Sequence, residues 1–147
     1  EGRIMVDTVD EVIWDRLRVA AIEAMKRAYC PYSGSPVGAA GLAEDGSIVV
    51  GSNVENAAYG CGHCAETSMV SELIRTGAGR LLAVVCVNGN SESVVPCGRC
   101  RQVIFEHGGP TCLVLMPTGV MPMSEVLPQA FGPSDLDEVA TSTPRKD

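Results

Sequence analysis

The sequence has no uninterrupted apolar run long enough to cross a bilayer, so neither a transmembrane helix nor a membrane partner is expected. Nothing near its start joins a basic flank to an apolar stretch and a small-residue cleavage site, so no secretory signal is expected either. Basic charge is scarce: eleven Lys and Arg face eighteen Asp and Glu, a net charge of −7. Proteins that grip a phosphate backbone usually cluster Lys and Arg, so a small uncharged substrate is favoured over nucleic acid. Internal repeats and low-complexity domains are also missing. Cysteine, by contrast, occurs seven times. An odd number without a secretory signal reads as thiols and metal ligands rather than a disulfide framework, and points to a reducing cytoplasm.

What is present suits one domain. A chain of 147 residues, 46% apolar and 20% charged, can bury one core and is short for two. Residues 1–4 read as the remnant of an expression tag, 5–132 as the single domain, and 133–147, rich in Pro, Ser, Thr and charge, as a flexible tail.

The periodicities sketch an α/β fold. Thr8-Val9-Asp10-Glu11 has the form of a capping box. Ile13, Leu17, Ala20, Ala21, Ala24 and Ala28 continue it as one apolar helical stripe to Tyr29, stopped by Pro31. Residues 37–43 and 47–51 flank Asp45-Gly46, a dipeptide suited to a tight hairpin turn, and predict paired antiparallel strands. The small residues of the first strand leave room for a helix or another subunit to approach. A second helix is expected from Cys64 to Thr76, capped by Gly77 in the left-handed conformation. Residues 81–87 form an apolar run expected of a strand covered on both faces. A third helix is expected to start at Pro96 or Cys97 and end before Gly108-Gly109. Strands at 112–116 and 120–123 and a short helix at 124–127 follow. This order predicts a three-layer α/β/α sandwich with a mixed five-stranded sheet.

Chemistry concentrates in Cys61-Gly62-His63-Cys64-Ala65-Glu66 and Pro96-Cys97-Gly98-Arg99-Cys100. Three thiolates, Cys64, Cys97 and Cys100, can hold Zn²⁺ and leave its fourth position to water, with Glu66 beside that water. Ligands at helix starts suit thiolates, because unpaired N–H groups and the macrodipole stabilise negative charge there. Two other readings share these residues. Cys61 could close a four-cysteine structural zinc site, and Cys61-x-x-Cys64 could be a thiol-disulfide exchange motif. His63 reads as a surface residue or as one that supports the metal ligands from outside, and Cys30, Cys86 and Cys112 as small hydrophobes in apolar segments.

Cys64-Ala65-Glu66 followed by Pro96-Cys97-x-x-Cys100 resembles the signature of nucleobase deaminases. With Tyr29-Cys30-Pro31-Tyr32-Ser33, Val37-Gly38-Ala39-Ala40, Asn53-Val54-Glu55-Asn56-Ala57-Ala58-Tyr59 and Leu127-Pro128-Gln129-Ala130-Phe131, the chain resembles a cytidine deaminase of the short homotetrameric, three-cysteine class. The resemblance implies Zn²⁺ on Cys64, Cys97 and Cys100, with Glu66 moving protons. It also implies that Asn53 and Glu55 hold the ribose hydroxyls, and that backbone groups near Ala65 and Pro96 read the pyrimidine edge. Tyr59 and Phe131 are implied as active-site aromatics, Phe131 supplied across a subunit interface. Two departures stand out. Ser35 replaces a phenylalanine that flanks the base in relatives, which opens room for a modified base. Thr67 replaces an arginine that offsets thiolate charge, a role then expected of Arg101 or Arg99.

Overall fold

The computed structural model describes residues 9–139; Thr8 and residues 1–4 lie outside them. Helix α1 spans Glu11–Met25. Its N-cap is Asp10, whose carboxylate accepts the Ile13 amide at 2.9 Å. An aspartate at this position takes one of the orphan donors of the first turn, so the helix opens at Glu11. The buried face is Trp14, Leu17, Ala21, Ala24 and Met25. The helix also stops short of Tyr29. Arg27 and Ala28 make tighter bonds to the Ala24 and Met25 carbonyls, and Tyr29 is drawn away by pairing with Asn53 and Glu55.

The sheet contains β1 (Gly38–Ala43), β2 (Ile48–Ser52), β3 (Leu81–Val87), β4 (Leu113–Met116) and β5 (Gly119–Pro122), in the order β2-β1-β3-β4-β5. Strand β1 runs antiparallel to β2 and β3, β3 pairs in parallel with β4, and β5 returns antiparallel to β4. Gly46, at φ 89°, supplies the left-handed residue of the β1–β2 turn. Along β3 the alternation divides the side chains between two cores. Val84 and Cys86 join helices α2 (Ala65–Thr76), α3 (Gly98–Gly108) and α4 (Met123–Val126), while Ala83, Val85 and Val87 join α1. This gives three layers, and the two-sided burial explains the unbroken apolar run of β3.

Helices α2 and α3 begin one residue later than expected or nearly so. Cys64 and Cys97 are their N-caps rather than first-turn residues, and Pro96 precedes the helix. Gly77 closes α2 in the left-handed conformation, φ 64° and ψ 31°. The stretch that composition reads as a frayed tail contains a further helix, α5 (Pro133–Val139). Pro133 occupies its first position and the Asp135 carboxylate accepts the Gly132 amide at 2.7 Å, which is half of a capping box.

Two glycines bring helices against the sheet at backbone distance. A Cβ on Gly38 would overlap the Ala21 carbonyl and Met25 amide of α1, and one on Gly51 would overlap the Ala65 carbonyl and Met69 amide of α2. Ser52, next to Gly51, ties both layers: its hydroxyl donates to the Ala24 carbonyl and its carbonyl accepts the Ser68 hydroxyl. Gly51→Ala is therefore expected to destabilise the protein by about 1–3 kcal/mol through overpacking. Thermal unfolding should show the fall in Tm, whereas Gly60→Ala, whose Cβ meets nothing within 4 Å, should stay near the parent.

Candidate metal centre and cleft

The segment carrying Asn53 and Glu55 is held by a short ribbon. Val54 bridges Tyr29 in parallel on one side and His63 antiparallel on the other. Val54 and His63 exchange both backbone bonds at 2.9 Å, and Cys64 follows directly. The side chains on this segment also brace a loop. Asn53 accepts the Val37 amide at 2.8 Å and donates to the Ser35 carbonyl at 3.2 Å. Glu55 accepts the amides of Tyr32 and Ser33 through one oxygen, at 3.0 and 3.1 Å. The Ser33 contacts hold the Glu55 carboxyl below the usual carboxylate range.

Beside this ribbon the N-termini of α2 and α3 converge. The sulfurs of Cys64, Cys97 and Cys100 all lie within 4.8 Å of one another. Zinc–sulfur bonds of about 2.3 Å in a tetrahedron separate sulfurs by about 3.8 Å, so the three thiols fit the ion with little adjustment. Cys61 sits exposed in the 3₁₀ turn Tyr59–Cys61, outside this group. A closed four-cysteine site is therefore set aside, and so is an exchange motif, because no strand leads into Cys61. His63 is exposed and outside the group as well.

The three sulfurs differ in electrostatics. Burial pushes the Cys64 thiol up, with the Cys100 thiol and, less strongly, Arg99 drawing it partly back. Cys100, fully buried, is pushed far above the ordinary thiol value, by burial first and by the Glu66 carboxylate next. Cys97 is held below the ordinary value, chiefly by the Cys100 backbone amide at the helix start.

Glu66 lies at the second position of α2 and is 5% exposed, the one buried charged residue among those described. It shares a cleft of about 480 Å³ with Asn53, Glu55, Tyr59, Cys64, Ala65 and Cys97, walled by Val37, Val94 and Val95. That volume suits a small-molecule ligand. Arg99 also lines the cleft. Arg101 instead donates to the Pro96 carbonyl at 2.8 Å and the Val126 carbonyl at 2.9 Å. Thr67 caps back onto the Cys64 carbonyl at 2.9 Å. Pro96 is buried next to Cys97, while Ser35 is exposed. Tyr59 is 84% and Phe131 56% exposed, and Phe131 is absent from the cleft wall of its own chain. Sequence reasoning passed over Val94 and Val95, whose only signal was an apolar pair before Pro96, while Cys86 is fully buried in the core, as its apolar segment implied.

This layout places the fold among the zinc-dependent hydrolytic deaminases. Comparison with known proteins narrows the class. A family model described as the cytidine and deoxycytidylate deaminase zinc-binding region matches residues 14–116. A cytidine deaminase from Mycobacterium tuberculosis is 49% identical over 126 residues, covering 86% of this chain and 95% of the relative. The crystal structure of cytidine deaminase from Mycobacterium leprae superposes with a TM-score of 0.77 at 54% identity, covering 79% of this chain and 98% of that one. The enzyme from Burkholderia pseudomallei gives 0.72 at 38% identity, over 80% and 98%. The chain belongs to the cytidine deaminase family.

Because Cys64 and Cys100 stay protonated near neutrality without metal, zinc uptake must displace their protons. About two to three protons should leave per ion, and apparent affinity should climb with pH and fall as the solution is acidified. Calorimetry in buffers of different ionisation enthalpy reads this count. Cys61→Ser should bind zinc like the parent, whereas Cys64→Ser, Cys97→Ser or Cys100→Ser should lose it.

Proposed function

We propose that this chain hydrolytically deaminates cytidine and deoxycytidine to uridine and deoxyuridine with release of ammonia, in the cytoplasmic salvage of pyrimidines. The observation that carries the reading is a buried Glu66 beside three convergent sulfurs, in a cleft whose rim holds Asn53 and Glu55. The enzymes named above as similar are cytidine deaminases, which supports the substrate class.

Zinc, when bound, acidifies a water to near neutrality and so supplies the nucleophile. Glu66 accepts a proton from the attacking water and passes it to N3 of the cytosine ring as the oxygen adds to C4. It then takes the second proton of that oxygen and delivers it to the exocyclic nitrogen, and ammonia leaves. Burial keeps bulk water from competing for these transfers. Near Ala65 and Pro96, backbone groups read the pyrimidine edge. Glu55 keeps one carboxylate oxygen free of the Tyr32 and Ser33 amides, and that oxygen suits a ribose hydroxyl. Asn53 serves the same diol while bracing the 35–37 loop. Arg99, on the cleft wall, offsets the single net negative charge of zinc with three thiolates.

Tyr59 and Phe131, both widely exposed, complete the site in a homotetramer, Phe131 reaching the cleft of a neighbouring subunit. Among the described residues no helix is long and apolar enough to cross a membrane.

Zinc-loaded protein should release ammonia from cytidine and deoxycytidine. Glu66→Gln should lower kcat by about 10²- to 10⁴-fold with zinc content unchanged. An active Glu66→Gln variant removes the role given to Glu66. A zinc-loaded parent inert towards both nucleosides but active on a ring-modified analogue would assign the space left by Ser35 to the base.

A further inference from the structure

Helix α3 opens with Cys97 and Cys100, and the residues that follow them fasten a second segment of the chain. Arg101 donates to the Pro96 carbonyl and to the carbonyl of Val126, the last residue of α4. Gln102 donates through its side-chain amide to the Phe131 carbonyl at 2.8 Å. One turn further along α3, the Phe105 ring lies against Gly132, where an added Cβ would come within 3.3 Å of it. The Gly132 amide is tied in turn to the Asp135 carboxylate. Between these anchors the chain turns through Gln129, at a left-handed φ of 51°. That conformation is uncommon for a residue with a Cβ and persists where the surroundings fix it. Residues 127–132 thus form a strap fastened to α3 at both ends. The Phe131 ring is 56% exposed although the carbonyl of the same residue is held. Its backbone is fixed and its ring faces outward, away from the cleft wall of its own chain.

We propose that Gln102 is a positioning residue that acts across a subunit boundary: by holding the Phe131 carbonyl it aims the ring into the cleft of a neighbouring copy of this chain. This rests on the reading that Phe131 completes a neighbour's site. A ring on a loose connection has to be ordered at every encounter with substrate, at a cost in conformational entropy. A ring on a fastened backbone has little freedom left to lose. The anchor also stands two residues beyond Cys100, on the helix that brings two of the three sulfurs together. One rigid element therefore carries part of its own subunit's metal site and the support for a wall of the next subunit's cleft.

Phe105 and Phe131 are the two phenylalanines of the sequence, so fluorophenylalanine incorporation gives two resonances in fluorine NMR of the zinc-loaded protein. Phe131→Leu assigns them. In Gln102→Met, which keeps the bulk and removes the donor, the Phe131 resonance should move towards that of free fluorophenylalanine while Phe105 stays near its parent position. A Phe131 resonance unmoved in Gln102→Met overturns the positioning role, and Gln102→Glu, equal in size and without the N–H, serves if Gln102→Met fails to fold. Gln102→Met should also lower kcat/KM for cytidine about three- to tenfold, mostly through KM, with zinc content unchanged. Added to Phe131→Ala it should bring no further loss, whereas a full additional loss assigns Gln102 a role apart from Phe131 and overturns the proposal. Coassembly separates action within a subunit from action between subunits. Gln102→Met subunits, with Glu66 intact, joined to Glu66→Gln subunits, with the strap intact, should exceed the mean activity of the two separate proteins. Activity equal to that mean overturns the action across the boundary. If the parent deaminated neither nucleoside, the functional reading would fail while the fluorine resonances would still report whether Gln102 holds Phe131.

Discussion

Everything in this molecule depends on bringing the starts of two helices to one point. Cys64 opens α2, and Cys97 and Cys100 open α3, and only side-by-side docking on one face of the sheet sets their sulfurs within 4.8 Å. That docking has no room for side chains at the critical place. Gly51 lets α2 lie directly on β2, and the Ser68 hydroxyl locks the contact at the same level by donating to the Ser52 carbonyl. Close packing here is a condition for the metal geometry, since interiors at native density transmit small displacements rather than absorb them.

The electrostatics follow from the same geometry. Helix starts supply unpaired N–H groups, and Cys97 gains most from them, its thiol being held below the ordinary value chiefly by the Cys100 amide. Cys64 and Cys100 are set deeper, where desolvation dominates, and become thiolates only in company with the ion. The site is thus part exposed and part buried, with Arg99 as the cation on the wall and Glu66 as the enclosed anion. On the proposed reading, such a gradient across a few ångströms lets one carboxylate exchange protons repeatedly in a medium that bulk water does not flood.

Much of this could be read from the residues, for identifiable reasons. Strand β3 was expected over 81–87 and forms there, because an apolar run bounded by Gly79 and Asn88 has one natural place in a covered sheet. Gly46 and Gly77 were readable since positive φ angles call for glycine. The cysteine and glutamate spacing brought Cys64, Cys97, Cys100 and Glu66 forward together. Other features escaped for equally physical reasons. A cysteine as N-cap carries no propensity signal, so both metal-bearing helices were placed slightly early. The end of α1 depends on Tyr29 pairing with a segment far along the chain, which no local window contains. Helix α5 was masked by composition, although Pro133 and Asp135 hold a capping signature. The close approach at Gly51 is a tertiary fact, visible only once the layers are assembled.

The ribbon that joins Tyr29, Val54 and His63 also turns the cleft into a gauge of length. The segment bearing Asn53 and Glu55 is bolted by two backbone bonds to the residue that precedes Cys64, so the interval between that segment and the three sulfurs cannot stretch. On the proposed reading, a nucleoside is measured end to end: its diol and its amino-bearing carbon must be the right distance apart before both can be held. A free base, having only one of those ends, would reach the reactive centre with nothing to register it, and would lose the pre-ordering that makes an encounter productive.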